Sequence, residues 1–234
     1  MRGIGTMSYD PDVILRVELH MHTRWSDDSG NNLEDIERIA AERDVDVFAV
    51  TDHDTIEGAL RLRDRKEVKV IVGEEISTAF GDVIGLFLER PVPPGLSPEE
   101  TMEAIHEQGG LVYIPHPFDR KRKTRLFKEA IDRCSGLIDL FEVWNGRVLH
   151  EEDNVRAARY GEEWGLVPVF GSDAHLPPEL GRVLMEIGPY DSPAEFLDRV
   201  RGGRPILPGP ERRGNLRDRL RGLFGGDDPG GVDG

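Results

Sequence analysis

Five of the seven histidines in this 234-residue chain stand at the ends of short apolar runs that predict buried strands. They are His20, His22, His53, His116 and His175. A lone histidine is usually structural, but the carboxyl ends of strands in an α/β chain are where sites assemble. We therefore interpret these five as one group with a chemical role, and we assign surface or core roles to His106 and His150.

Carboxylates follow the same apolar runs. They include Asp27, Asp28, Asp52, Asp54, Glu74, Glu75, Asp82 and Asp173. His20 and His22 lie two residues apart, so on a strand they would point to the same side. The same spacing relates Asp173 to His175. Imidazole and carboxylate without thiolate suit Zn, Mn or Fe in hydrolytic sites, and a carboxylate bridging two ions is usual for displacement at phosphorus. The sequence thus predicts a polynuclear metal site.

Seven apolar runs predict the strands that would carry these residues, at 13–19, 45–50, 68–72, 83–88, 111–114, 137–143 and 167–170. Helix starts are predicted where an N-cap residue is followed three residues later by an acid, at Asn32, Asp54, Ser97 and Ser192. A further helix is predicted over Glu151–Trp164. This alternation predicts a mostly parallel sheet with helices outside, able to close into a barrel.

Composition limits the class of protein. A formal net charge of -15 argues against general nucleic-acid binding through the whole surface. The single cysteine, Cys134, excludes an internal disulfide and favours a reducing compartment. No apolar stretch approaches the ~18 residues of a membrane span, and the N-terminus lacks the apolar core of a signal peptide. We expect a cytoplasmic protein with no membrane partner.

The composition changes near the C-terminus. Beyond residue 207 the chain is rich in Gly, Arg and Asp, and little of it can be buried. We therefore predict one folded domain over residues 1–207 and a flexible tail over residues 208–234.

Five motifs occur in the order of the PHP (polymerase and histidinol phosphatase) family, which the chain resembles over about residues 16–188. They are His20-x-His22, Thr51-Asp52-His53-Asp54, Gly73-Glu74-Glu75, Pro115-His116-Pro117 and Gly171-Ser172-Asp173-x-His175. The resemblance implies an α/β fold, a distorted (β/α)7 barrel. It also implies a phosphoesterase site with two or three divalent ions (Mn, Zn, Fe or Mg) at the C-terminal ends of the strands.

The resemblance also implies ligands for each ion. His20, His22, Glu75 and Asp173 would hold the first, Glu75 would bridge to a second held by His116, and Asp27, His53 and His175 would hold a third. Asp27 is preferred to Asp28 for its short spacing from His22. Catalysis is expected to depend on His53, Glu75, His116 and Asp173.

Three nearby carboxylates are interpreted from their local sequence. Asp82 stands where small nucleotide-cleaving members often have a histidine on the second ion, and is either an oxygen ligand or a loop carboxylate. Asp52 either orients His53 or caps its strand, and Asp54 is predicted to be a helix N-cap.

Two segments are candidates for holding substrate. Asn145 and Arg147 could bind phosphate oxygens, although a turn at Asn145-Gly146 also explains them. The basic run 120–125, which begins with Arg120 and Lys121, is either a polyanion clamp or a solvated helix start. Arg182 is a further candidate for the same task.

These features predict hydrolysis of phosphoesters by a metal-bound hydroxide. The expected partner is a small phosphomonoester, a nucleotide or a nucleoside bisphosphate, with the end of an oligonucleotide as an alternative. One rival is an amidohydrolase-type enzyme, many of which need a carboxylated lysine that no lysine here is placed to supply. The other is a non-catalytic, metal-stabilised module.

Overall fold

The computed structural model describes residues 13–208, which form a nine-stranded sheet flanked by helices. The strands are β1 (Leu15–Met21), β2 (Val47–Val50), β3 (Lys69–Thr78), β4 (Gly81–Leu86), β5 (Leu111–Ile114), β6 (Leu140–Asn145), β7 (Val167–Gly171), β8 (Leu184–Ile187) and β9 (Arg204–Ile206). The helices are α1 (Leu33–Arg43), α2 (Glu57–Arg65), α3 (Pro98–His106), α4 (Lys128–Arg133), α5 (Glu151–Trp164) and α6 (Pro193–Arg201). The tail predicted over residues 208–234 lies, beyond residue 208, outside the described residues.

The sheet has the order β7-β6-β5-β4-β3-β2-β1-β8-β9. Strands β1 to β3 are parallel to one another, and so are β5 to β7. Strand β4 is antiparallel to both of its neighbours, as is β8. Within residues 13–208 only half of the neighbouring pairs are therefore parallel, and the prediction of a mostly parallel sheet is wrong.

The direction of β4 follows from the length of β3. The apolar run ends at Val72, but β3 continues to Thr78 and turns through two residues into Gly81, where φ is +123°. A two-residue turn joins antiparallel strands, and glycine adopts positive φ without steric cost. Two consecutive acids in the middle of β3 conceal this continuation in the sequence.

Strand β1 closes the barrel by having two partners along the edge opposite β2. Its amino-terminal half pairs with β8, where Leu15 lies opposite Ile187. At its carboxyl end the His22 N–H donates to the Ala174 carbonyl (2.9 Å), and the Asp173 N–H donates to the His20 carbonyl (2.8 Å). The sheet is thus a nearly closed, distorted barrel, as expected, and it closes at the end that carries the histidine motifs.

Strands β8 and β9 were not predicted from the sequence. They contain four and three residues, and Pro205 interrupts the second. Glu186 interrupts β8 and β9 begins with Arg204, so neither strand forms a continuous apolar run like those of β2 and β5. The seven predicted strands are all present; β5 has the predicted boundaries, and the boundaries of the other six are shifted.

The helix starts follow local capping chemistry at three of four predicted sites. Asn32, Ser97 and Ser192 each accept a hydrogen bond from the backbone N–H three residues later. Asp54 does not cap α2, so that prediction is wrong. It has φ +53°, and its carboxylate accepts from the Ser77 N–H at 2.7 Å.

No helix within residues 13–208 is both long and apolar enough to cross a membrane.

Successive residues of β3 point to opposite faces, which separates two adjacent acids. Glu75 faces the interior of the barrel with the histidines. Glu74 points away and accepts from the Val92 N–H at 2.8 Å, while its Oε1 is buried without a hydrogen-bond partner. Burial raises the pKa of Glu74 to about 7.

We expect Glu74→Gln to stabilise the protein at high pH. The ordinary pKa of the carboxyl is 4.5, so the folded state binds more protons than the unfolded state between pH 4.5 and about 7, and stability falls as pH rises through that window. Glutamine cannot ionise but can still accept from Val92. The variant should therefore gain about 2–3 kcal/mol more in free energy of unfolding at pH 8 than at pH 5.

Urea denaturation of both proteins with a chelator present, at the two pH values, measures this difference. Glu89→Gln, which changes an exposed carboxylate, is the matched control. A difference between variant and wild type that does not change with pH would contradict the account.

Candidate metal centre

The inner face of β1 carries three buried polar side chains. Glu18, His20 and His22 alternate with Val17 and other apolar residues that pack into the core on the opposite face. Glu18 accepts from the backbone N–H groups of Ser172 and Gly181, and burial raises its pKa to about 7. The strand therefore places two histidines inside the barrel.

Glu75 lies between two sets of imidazoles. Its Oε1 is 2.9 Å from His116 Nε2. Its Oε2 is 3.2 Å from His22 Nε2 and 3.3 Å from His20 Nε2. The two oxygens of one buried carboxylate thus face different ligand groups, as a carboxylate bridging two ions requires.

Asp173 is turned into the site by an unusual backbone conformation. Its φ is +54°, in the left-handed region, which costs roughly 1–2 kcal/mol for a residue other than glycine. The hydrogen bond from its N–H to His20 helps to hold this conformation. Asp173 Oδ1 then lies 3.5 Å from His22 Nε2 and 3.7 Å from His20 Nε2, with no hydrogen-bond partner although it is buried.

Three groups of side chains within residues 13–208 are close enough to hold an ion, with the ligand atoms of each group within 4.8 Å of one another. They are His20, His22 and Asp173; His20, Glu75 and His116; and His22, His53 and His175. The groups share members, as neighbouring ions with common ligands would require. His53 is the most accessible member, with 30% of its side chain exposed.

The hydrogen bonds of three histidines leave the same ring nitrogen facing the site. His20 Nδ1 is 3.0 Å from Glu142, His22 Nδ1 is 3.2 Å from the Ser26 hydroxyl, and His175 Nδ1 is 2.9 Å from the Asp173 carbonyl. A histidine that donates through Nδ1 presents Nε2 as a metal ligand. Together with the unpartnered Asp173 Oδ1, these nitrogens form a donor set that fits divalent ions.

Neighbouring charges and burial shift the pKa values of the cluster residues. Burial disfavours a charged His20, but the carboxylates of Asp173 and Glu142 outweigh burial and raise the pKa of His20 well above its usual value. Burial would raise the pKa of Glu75, but hydrogen bonds from the imidazoles hold it well below its usual range. Burial lowers the pKa of His175 to about 4, with positive charge on His22 adding to the effect. His175 is therefore neutral and able to act as a ligand at neutral pH.

The structure places Asp28 beside the third group, where the sequence favoured Asp27. Asp28 Oδ2 is 3.1 Å from His175 Nε2, and Asp28 Oδ1 is 3.8 Å from His53 Nε2. Both acids are exposed and belong to none of the three groups, but within residues 13–208 only Asp28 has a carboxylate oxygen within 4.0 Å of a ligand histidine. The Ser29 N–H donates to the Ser26 carbonyl (3.1 Å), and in the resulting turn the second central residue faces the imidazoles. Spacing from His22 could not reveal this turn.

Asp82 is buried on β4, outside the three ligand groups. It lies opposite Ser77 in the antiparallel pair, two residues beyond Glu75, and therefore on the same inner face. Burial raises the pKa of Asp82 to about 7, and the negative charge of Glu75 adds to that increase. Asp82 is thus part of the wall above the site, on a strand and not in a loop.

Glu142 supports two of the ligand histidines, and the sequence analysis missed it. This fully buried carboxylate accepts from the Tyr113 hydroxyl (2.5 Å) and the His116 N–H (2.6 Å), and it contacts His20 Nδ1. Gly171 leaves space for it, since a Cβ at that position would overlap Glu142 Oε1 and lie 2.7 Å from His20 Cβ. An isolated acid within an apolar strand was the available signal, because a buried charge requires partners.

Asp52 acts through the loop that follows β1. Its carboxylate accepts from the Thr23 N–H (2.6 Å), the Thr23 hydroxyl (2.6 Å) and the Ser26 hydroxyl (2.9 Å). The same Ser26 hydroxyl accepts from the His53 N–H at 3.0 Å and contacts His22. Through Ser26, Asp52 therefore orients His53, which is one of the two roles considered for it, and it also positions His22.

Asn145 is buried and holds two carboxylates in place. Its Nδ2 donates to Glu142 Oε2 (2.9 Å) and to Asp173 Oδ2 (3.1 Å). Its Oδ1 accepts from the Arg147 N–H at 2.9 Å, which is the turn considered as the alternative. Arg147 is exposed, but its positive charge contributes to the lowered pKa of His175, so it lies at the edge of the site.

In the basic run 120–125, the residue that contacts the site is Arg122, and not Arg120 or Lys121. Arg120 is paired with Asp153 of α5 at 2.7 Å, and Lys121 is exposed. The Arg122 guanidinium donates to Asp173 Oδ2. A run of consecutive basic residues does not show which one turns inward. Arg182 is also exposed and lies outside the ligand groups.

Comparisons with known proteins agree with this geometry. The sequence profile of the PHP domain matches residues 18–157, and that of the PHP-associated region matches residues 151–205. An uncharacterised protein of Methanocaldococcus jannaschii is 34% identical over 197 residues, covering 80% of this chain and 79% of that protein. A second uncharacterised protein of that organism is 40% identical over 145 residues, covering 56% of this chain and 82% of its own length.

Two solved structures share the fold. A two-domain Bacteroides vulgatus protein containing a predicted PHP-like metal-dependent phosphoesterase superposes with a TM-score of 0.69 at 19% identity, covering 95% of this chain and 73% of that one. A Chromobacterium violaceum amidohydrolase has a TM-score of 0.55 at 16% identity, covering 84% of this chain and 99% of that one. Because the PHP profile matches more than half of its residues, this chain belongs to the PHP domain family.

Proposed function

We propose that the chain is a metal-dependent phosphoesterase that hydrolyses small phosphomonoesters, among them nucleotides and nucleoside bisphosphates. The observation that carries the proposal is the arrangement of three overlapping imidazole and carboxylate groups around Glu75. Two or three Mn, Zn or Fe ions held there would supply an activated water and neutralise the charge of the phosphate oxygens.

The site residues would have different roles according to their positions. His20, His22 and Asp173 form the closed inner end, whereas His53 lies at the accessible mouth. Glu75 lies between the inner group and His116, so it would fix the spacing of neighbouring ions. A substrate phosphate would therefore approach from the side of His53.

Arg122 is the cationic side chain best placed to bind that phosphate. It contacts Asp173 Oδ2, whereas Asp173 Oδ1 faces His20 and His22. An ion bound through Asp173 would supply the positive charge that Arg122 now provides. The guanidinium would then be available for bidentate contact with phosphate oxygens.

The amidohydrolase alternative has support from the Chromobacterium violaceum neighbour, but the ligand set favours the phosphoesterase. A carboxylated lysine would have to lie beside the ions, whereas all five lysines of the chain are exposed. Lys69 begins β3, at the end remote from Glu75, and Lys121 and Lys123 are exposed.

A turnover screen tests the proposal directly. Purified protein supplied with Mn, Zn, Mg or Fe should hydrolyse phosphomonoesters or nucleoside bisphosphates. Asp173→Asn should reduce that rate by at least about a hundredfold, because it removes a charged ligand. Turnover of amides or lactones with no turnover of phosphate esters would instead establish the amidohydrolase alternative, and full activity in Asp173→Asn would refute the ligand assignment.

Glu142→Gln should weaken metal binding while leaving the direct ligands intact. The amide would place a donor against the His116 N–H and the Asn145 amide, so His20 and His116 would lose their orientation. We expect affinity for Zn or Mn to fall about 10–100-fold in calorimetric titration. Glu103→Gln, an exposed acid on α3, is the control. Unchanged affinity in Glu142→Gln would mean that the carboxylate does not position the ligands.

Arg122→Gln should separate substrate binding from metal binding. Losing a charged contact to phosphate should raise KM about tenfold or more for a phosphomonoester. The affinity for metal should be unchanged or higher, because the guanidinium no longer competes for Asp173. Steady-state kinetics and calorimetry provide the two readouts, and a fall in metal affinity with unchanged KM would contradict this role.

A further inference from the structure

Two ligand residues of the metal centre lie on one loop. Residues 172–181, which follow β7 and are here called the ligand loop, carry Asp173 and His175. These two belong to different ligand groups, one with His20 and the other with His53. Because neither stands on a helix or a strand, contacts between the loop and the rest of the barrel must determine where both side chains lie.

A single buried carboxylate holds both ends of the ligand loop. Glu18 Oε1 accepts from the Ser172 N–H at 3.2 Å, and Glu18 Oε2 accepts from the Gly181 N–H at 3.0 Å. Gly181 has φ +66°, a conformation that glycine adopts without steric cost. The first and last residues of the loop therefore bind the two oxygens of one side chain.

Glu18 lies on the strand that supplies two other ligands. Glu18, His20 and His22 occupy alternate positions of β1 and face the interior of the barrel. The strand thus presents two imidazoles directly and, through Glu18, holds the loop that carries Asp173 and His175. A shift of the loop relative to β1 would change the distances within two ligand groups at once.

A carboxylate at position 18 is unfavourable unless it is hydrogen-bonded. Glu18 is fully buried, and transferring a carboxylate from water to a protein interior requires compensating partners. The two backbone N–H groups of the loop are such partners, one for each oxygen. Glu18 also lies outside the three ligand groups. Its contribution to the site is therefore made through the loop and not as a metal ligand.

Other charged side chains hold the outer part of the loop. Glu179 Oε2 accepts from the His175 N–H at 2.9 Å, and Arg43, the last residue of α1, donates to the Leu180 carbonyl. Both of these charged residues are half-buried. Glu18 differs from them because it connects the loop to the inner face of the barrel, where the ligands meet.

We propose that Glu18 is a positioning residue of the metal centre. By joining both ends of the ligand loop to β1, it fixes the distance between the histidines of the strand and the ligands on the loop. This inference rests on the ligand assignment made for the proposed function and adds a residue that touches no ion. Substitution of residues behind the direct ligands commonly lowers metal affinity by about 10–100-fold, because misplaced ligands bind weakly.

Calorimetric titration with Zn tests this role independently of turnover. In Glu18→Gln the amide keeps one acceptor oxygen and presents a donor to the other N–H, so one end of the loop is released. We expect the affinity for Zn to fall about tenfold or more. Glu74→Gln is the matched control, because Glu74 is also a fully buried acid that accepts from a backbone N–H but faces away from the site. Its affinity should be unchanged.

The loss should be confined to ions whose ligands lie on the loop. His20, Glu75 and His116 form a group without a loop residue, so binding at that group should be retained in Glu18→Gln while the remaining equivalents of Zn bind weakly. A merely structural role would lower the melting temperature and weaken every equivalent alike. That result would overturn the positioning role.

A second pair of variants keeps the test valid if Glu18→Gln does not fold. Gly181→Ala disturbs one end of the loop, since a Cβ there would lie 3.1 Å from Val45 Cγ2 and 3.2 Å from Arg43 Cδ. Gly165→Ala carries the same backbone cost, with φ +64°, but its Cβ would meet nothing within 4 Å among residues 13–208. Zn affinity should fall in Gly181→Ala alone, and equal affinities in the two variants would contradict the proposal.

The outcomes separate this inference from the proposed function. Unchanged Zn affinity in Glu18→Gln, or an equal fall in Glu74→Gln, would overturn the positioning role whatever the catalytic activity. Selective loss of Zn in a protein that hydrolyses no phosphoester would support the positioning role and refute the proposed function. A wild type that binds no metal ion would refute the ligand assignment and the positioning role together.

Discussion

The interior of this barrel is built around the burial of several carboxylates close to one another. Glu75, Glu142 and Asp173 are fully buried on three different strands or strand ends. Such a cluster would be strongly destabilising without compensating charge. Imidazoles from β1 and the loops, together with Arg122, provide that compensation. The positions of the ligands follow from this requirement.

Backbone geometry is adjusted to satisfy the same requirement. His116 and Asp173 both have positive φ, at +29° and +54°, and in each the N–H is hydrogen-bonded within the site. The Asp173 bond also joins the end of β7 to β1, so the contact that closes the barrel is the contact that orients a ligand. Residues in sparsely populated conformations persist only where their surroundings hold them, and they cluster at functional sites.

Features that depend on neighbouring residues in the sequence could be predicted, whereas features that depend on distant residues could not. Apolar runs located seven strands, and the pair His20 with His22 follows from side-chain alternation. Asp173 and His175 lie beyond the end of β7, and the positive φ of Asp173 sets its direction, so alternation does not place that pair. The choice of Asp28 over Asp27 depends on one backbone turn, which composition does not encode. The direction of β4 depends on a hairpin hidden by the polar end of β3.

Contacts between distant segments were beyond the reach of the sequence. Arg122 meets Asp173 across 51 positions, and Glu142 meets His20 across 122. In both cases the sequence marked the residue, as part of a basic run or as an acid within an apolar strand. It did not indicate the residue that it contacts. Partners are determined by how the sheet closes, which brings the segment after β7 against the end of β1 and so joins residues distant in sequence.

The segment after His116 links recognition to the metal centre through one short stretch of chain. Asp119 accepts from the Lys121 N–H at 2.9 Å and lies 3.7 Å from the Arg122 guanidinium, so it fixes the start of the basic run. Arg122 then points inward to Asp173, while the lysines on either side of it are exposed. Because one short turn sets both directions, the segment brings the charge of Arg122 into the site and leaves the charges of Lys121 and Lys123 at the surface. The charge that balances a buried carboxylate and the charge that would receive a substrate are therefore products of the same turn.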